Sequence, residues 1–148
     1  MQTQIIPLVQ TAPGVQHSLQ VMRFGVGLPG PKAYIQASLH ADEAPAMLVA
    51  HQLAQALTEH EENGALRGEV IVVPYANPIG LAQIQLGQQE GRFDLTDGIN
   101  FNRGYPDLAE LVQDTVGHSL NGDADHNVHC IRQAFRDALP PRDRDGGD

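Results

Sequence analysis

The chain has 148 residues, 41% of them hydrophobic and 18% charged, with a formal net charge of −9. That length supports one domain with a proper core. Nine Lys and Arg against eighteen Asp and Glu exclude the clustered basic surface that nucleic acid needs, and no window approaches the roughly 18 apolar residues of a membrane span.

The first ten residues, MQTQIIPLVQ, lack a basic region followed by an apolar stretch, so no secretory signal is expected. Residues 18–24, SLQVMRF, read as a strand, with Leu19 and Val21 on one face and Met22 and Phe24 on the other. GVGLPGP interrupts, and residues 33–39, AYIQASL, read as a second strand. From Pro45 to about Thr58 the apolar spacing changes. Ala46, Ala50, Leu53 and Leu57 follow steps of four, three and four, one face of a helix. Asp42 or Glu43 can cap its start, Pro45 suits the first turn, and Gly64 is the stop signal. EVIVV, residues 69–73, is a short unbroken apolar run, as in a strand covered on both faces. Strand, helix, strand over this length predicts a βαβ unit and a largely parallel, mixed α/β sheet with flanking helices.

From Pro74 to Asp107 the chain is rich in Gly, Pro, Asn and Asp, and periodicity fades. A loop of that length usually carries function. Residues 107–116 predict a short helix, HSLNGDAD a turn, and Val128, Ile131, Phe135 and Leu139 a second helical stripe. The last residues, PPRDRDGGD, look solvated. The expectation is one α/β domain over 1–139 and a flexible tail over 140–148. The single cysteine, Cys130, rules out an internal disulfide and fits a reducing cytoplasm, the expected location.

Two patterns carry candidate chemistry. Gly25, Gly27 and Gly30 match G-x-G-x-x-G, but a nucleotide loop needs a helix starting inside the motif. Pro29, Pro31 and a following strand favour a hairpin-like connection instead. In ASLHADEAP, His40 and Glu43 stand three apart at the end of a strand. An imidazole and a carboxylate both suit zinc, and strand ends of open α/β sheets are where such sites collect. The spacing alone equally allows a capped helix start with an exposed histidine.

HADEAP after an apolar strand, then VVPYANPIGL, then DGINFNRGYPDL, stand in an order that resembles one family. It is the succinylglutamate desuccinylase/aspartoacylase branch of the zinc-carboxypeptidase-like superfamily, and the likeness runs from about residue 33 to residue 108. The family usually has H-G-[DN]-E, and Ala41 here replaces the glycine. The resemblance implies a three-layer α/β/α fold, C-terminally incomplete, with His40 and Glu43 as ligands of one zinc ion. It implies that Asn102 and Arg103 hold a substrate carboxylate, a task that suits the planar guanidinium fork. Arg92 is the candidate for the arginine that polarises the scissile carbonyl, at a longer spacing from the Asn-Arg pair than the family pattern. Asn77-Pro78 looks like the family's N-P at the site wall, and no chemistry is assigned to it.

A hydrolytic zinc site needs three protein ligands and an open position. The family's third ligand is a histidine in an Asp-Leu-His-like run, and its general base is a later glutamate. Neither is found here: His118, His126 and His129 come too early, and His17, His51 and His60 fit no site pattern. The expectation is therefore the N-terminal part of a zinc-dependent deacylase, whether a fragment, a shortened frame or a degenerate copy. Its substrate would be an N-acyl amino acid or a similar small amide, with no nucleic acid or membrane partner. Self-association through exposed strand edges is expected. The alternatives are a non-catalytic metal- or partner-binding α/β module and a peptidase acting on longer peptides.

Overall fold

The structure, a computed structural model, describes residues 1–8, 10 and 12–139. The tail expected over 140–148 lies outside them. The chain forms two compact units, Met1–Arg103 and Gly104–Asp148.

The first unit is built on a four-stranded sheet, in the order β1 (Gln2–Pro7), β2 (Ser18–Phe24), β4 (Glu69–Val73), β3 (Lys32–Gln36). Strands β3 and β4 pair in parallel and are joined through α1 (Ala44–Glu62), the expected βαβ unit. Strand β2 runs antiparallel to both β4 and β1. The sheet is thus mixed, but its parallel pairing is confined to β3–β4 rather than being predominant. The expected mixed α/β sheet with flanking helices is present; its antiparallel share comes from β2, which lies against β4, and from β1, QTQIIP, which went unread. The β1 residues are almost all exposed, so the strand is held by its ladder to β2 and shows no apolar alternation.

The glycine motif is not a hairpin. Strands β2 and β3 flank β4, and the segment between them passes over the start of β4. Gly25 has φ +68, and a Cβ there would lie 2.1 Å from the Gly68 carbonyl oxygen. A Cβ on Gly68, φ +76, would lie 2.1 Å from the oxygen of Pro31. The glycines allow two backbones to touch, and no helix starts within the motif.

Phe24 and Val72 are fully buried, and α1 lays Ala50, Ala54 and Leu57 against them. Small residues on that face let the helix sit close to the sheet. A polar clamp sits at the start of β4. Glu69 takes a hydrogen bond from Arg23 Nε at 2.7 Å and an ion pair with Lys32 Nζ at 2.7 Å, so one carboxylate ties three strands. Lys32 first and Arg23 second hold the Glu69 carboxyl below its ordinary range. A depressed carboxylate stabilises the fold above its unfolded pKa, and that stability is lost as pH falls through the lowered value. Glu69→Gln is expected to lower the melting temperature by several degrees near neutrality. The difference from the parent chain should narrow as pH falls below the ordinary glutamate pKa of about 4.3 and on through the lowered folded value. Melting curves across that range check this; a gap that does not narrow in acid would refute the assignment.

The remaining elements of this unit are α2 (Pro78–Ala82) and a two-stranded hairpin of β5 (Ile84–Gln85) and β6 (Gln88–Gln89). The second unit is a pair of helices, α3 (Leu108–Val116) and α4 (Ala124–Ala138). Asp107 and Asp123 cap them by accepting two backbone N–H groups each. Val112 and Val116 pack on Ala134, Ile131 and Phe135. The second helix begins inside the expected turn because Asp123 caps it there.

Candidate functional site

The site residues sit on loops that meet beyond the C-terminal end of β3. That strand ends at Gln36, three residues earlier than expected, because Ser38 adopts φ +54. The loop is then pinned from two sides. Asn77, itself buried, donates to the Leu39 carbonyl at 2.9 Å and accepts from Gly80 N at 2.8 Å. On the other side Ala41 N donates to the Gly91 carbonyl at 2.8 Å. A Cβ on Gly91 would stand 2.5 Å from Asp42 N, so only glycine lets the segment carrying Arg92 approach this closely. The Ala41 methyl, where the family pattern has glycine, is accommodated because Gly80 and Gly91 both face it.

His40 is 3% exposed and makes three close contacts. Its Nε2 lies 2.8 Å from Asn100 Oδ1, and its Nδ1 lies 2.8 Å from Arg92 Nη1 and 3.2 Å from Glu43 Oε1. Arginine can only donate and a carboxylate can only accept, so Nδ1 faces one group of each polarity; in the neutral ring with its hydrogen on Nε2, Nδ1 presents its lone pair to Arg92. Arg92 also donates to Glu43 Oε1 at 3.0 Å and to Asp42 Oδ2 at 3.2 Å. Neither Asp42 nor Glu43 caps α1, contrary to expectation. Glu43 is the residue at the N-cap but makes no side-chain cap bond, because its carboxylate is turned to the guanidinium. Pro45, in the first turn, stands as expected.

The donor set fits a cation. Two lone-pair atoms, His40 Nδ1 and Glu43 Oε1, face each other 3.2 Å apart. Zinc bonds of roughly 2.0–2.2 Å at a tetrahedral angle would span about 3.4 Å. A cationic group, the Arg92 guanidinium, already lies against both atoms. A third donor is not in place: among the described residues no group of three or more His, Cys, Asp or Glu could hold a metal ion. His126 and His129 lie on α4 in the second unit, where His126 Nε2 contacts the Ser119 carbonyl oxygen at 3.0 Å. The His51 ring lies tilted against Tyr75, with ring centroids 5.7 Å apart.

The structure therefore brings His40, Glu43 and Arg92 together. Asn102 and Arg103 reach this cluster through backbone. Asn102 N donates to Asn100 Oδ1 at 2.9 Å, and Arg103 N to the Asn100 carbonyl at 3.2 Å. The exposed Arg103 guanidinium folds onto its own chain and donates to the Asn102 carbonyl at 2.6 Å. Two residues of the cluster went unread in the sequence, Asp42 as an Arg92 partner and Asn100. An asparagine in a loop rich in turn residues carries no signal of its own. Its position two residues before the Asn-Arg pair was the one available hint.

No curated protein matches the chain. A succinylglutamate desuccinylase/aspartoacylase family protein from Shewanella amazonensis SB2B superposes with a TM-score of 0.63 and 28% identity, over 91% of this chain and 43% of that one. A succinylglutamate desuccinylase/aspartoacylase from Shewanella frigidimarina NCIMB 400 gives a TM-score of 0.60 at 23% identity, over 90% of this chain and 42% of that one, a likeness of fold. The chain thus spans less than half the length of these solved structures. The family model described as the succinylglutamate desuccinylase/aspartoacylase catalytic domain matches residues 29–143. With that match across most of its length, the chain belongs to the succinylglutamate desuccinylase/aspartoacylase family.

Proposed function

We propose that this chain carries the metal-binding and substrate-anchoring half of a zinc-dependent deacylase acting on N-acyl amino acids. The observation that supports this most is the convergence of the His40 Nδ1 lone pair and the Glu43 carboxylate on one cationic position beyond β3. In this reading the two atoms hold a zinc ion. When bound, zinc supplies Lewis acidity toward the amide carbonyl and makes water a better nucleophile near neutral pH. Arg92, released from the pair, offers its guanidinium to the negative charge that develops on the carbonyl oxygen. Arg103 swings out from the Asn102 carbonyl and, with Asn102, grips the substrate carboxylate. The third ligand and the base that moves the proton to the leaving amine are assigned to the portion of the catalytic domain that this chain does not span.

A second reading, a non-catalytic metal-binding module, is favoured by the lack of a third donor among the described residues. Binding measurements separate the two. The zinc-loaded chain is expected to bind N-acyl amino acids better than the matching carboxamides. Arg103→Ala should weaken binding of the acids about 10–100-fold, the worth of a charge-assisted pair, and leave the carboxamides unaffected. Zinc binding with no preference for the free carboxylate would favour the module.

A further inference from the structure

The Asn100 amide oxygen serves two partners at once. It lies 2.8 Å from His40 Nε2 and accepts from Asn102 N at 2.9 Å. The second contact fixes which way the amide faces, because a flipped NH2 would meet a backbone N–H head on. The atom facing His40 Nε2 is therefore an acceptor, and Nε2 must carry the hydrogen. On the other side of the ring, Arg92 Nη1 stands 2.8 Å from Nδ1 and can only donate. Glu43 Oε1, which can only accept, lies 3.2 Å from the same Nδ1, and Arg92 donates to both atoms; it is therefore Asn100 that fixes the tautomer, and in the neutral ring a hydrogen on Nε2 leaves Nδ1 bare.

We infer that Asn100 is a positioning residue: its side-chain oxygen locks His40 with Nε2 protonated and Nδ1 free for metal, and ties that imidazole to the backbone of the Asn102-Arg103 carboxylate anchor. The inference rests on the zinc reading of His40 and Glu43, but the tautomer lock belongs to the metal-free chain. A ligand imidazole works best when its other nitrogen donates to a fixed oxygen, since this sets both ring orientation and basicity. Asn100 supplies that oxygen as a neutral amide. The bond to Asn102 N means that a shift of the ring also shifts the anchor, so the metal end and the carboxylate end of the site move together.

Long-range nitrogen–proton correlation spectra of the metal-free chain, at a pH where the imidazole is neutral, read the tautomer directly. The parent chain should show His40 protonated on Nε2; protonation on Nδ1 would overturn the inference without any variant. Asn100→Ala should erase the preference and weaken zinc binding about 10–100-fold, the usual cost of removing such a partner. Asn100→Asp keeps an acceptor in place and should restore both the tautomer and the affinity. Unchanged tautomer and unchanged zinc affinity in Asn100→Ala would refute the positioning role. If His40→Ala leaves zinc binding intact while the tautomer follows Asn100 as expected, the zinc reading fails and the lock stands.

Discussion

Replacing His40 by alanine is expected to lower the zinc affinity of the chain by more than about 100-fold, beyond the usual range for outer-shell changes. The pair offers two donors, and one of them is the His40 Nδ1 lone pair. Without it Glu43 is an exposed carboxylate beside an arginine, a poor place for a second cation. The fold should survive. Asn77 still pins Leu39, Gly91 still holds Ala41, and Asn100 keeps its bond to Asn102 N. Titration calorimetry with zinc, beside a circular dichroism spectrum, reads both halves of the claim. His129→Ala, on α4 in the second unit, is the control and should bind zinc like the parent chain.

Phe24→Ala is expected to cost about 3–5 kcal/mol, the range for emptying a buried aromatic site. Phe24 is fully buried, with Val72 beside it and the α1 alanines against it, so little can collapse into the space. Against a total stability of roughly 5–15 kcal/mol, that loss threatens folding of the whole first unit. It also reaches the site. Phe24 pairs with Val70 across β2–β4, and the far end of β4 accepts the Ala37 N–H at the root of the His40 loop. Denaturant midpoints, with Leu86→Ala as the exposed control, measure this. Leu86 is 99% exposed and should change stability by less than about 0.5 kcal/mol. Equal losses in the two variants would show that the core does not centre on Phe24.

How much of this was legible in the sequence follows from what burial leaves behind. Strands β2 and β4 and helices α1 and α4 pack apolar side chains, and their apolar pattern announced them. Strand β1 and the β5–β6 hairpin bury almost nothing, so no period marks them. That hairpin turns through Leu86 and Gly87, both with positive φ, where Asn-Gly or Asp-Gly is the usual signal. The glycine motif was read as a turn between neighbours because nothing in a local pattern reveals that a later strand will insert between β2 and β3.

The site divides the same way. His40 and Glu43 were visible because three residues on one loop hold both. Arg92 was a candidate through the family resemblance alone and Asn100 was unread; they come to His40 from 52 and 60 positions away through a stretch without periodicity, helped by the backbone bonds of Ala41 to Gly91 and of Phe101 to Arg92. The helix cap was misread for an electrostatic reason. Asp42 and Glu43 have the right type and place to cap α1, but a guanidinium within reach draws both carboxylates away.

Anomalous diffraction at the zinc absorption edge, from crystals of the chain grown with zinc, locates the ion. A peak is expected within about 2.0–2.2 Å of both His40 Nδ1 and a Glu43 carboxylate oxygen, with the Arg92 guanidinium displaced. A peak on the His126–His129 helix, or on the opposite nitrogen of His40, would contradict the zinc assignment.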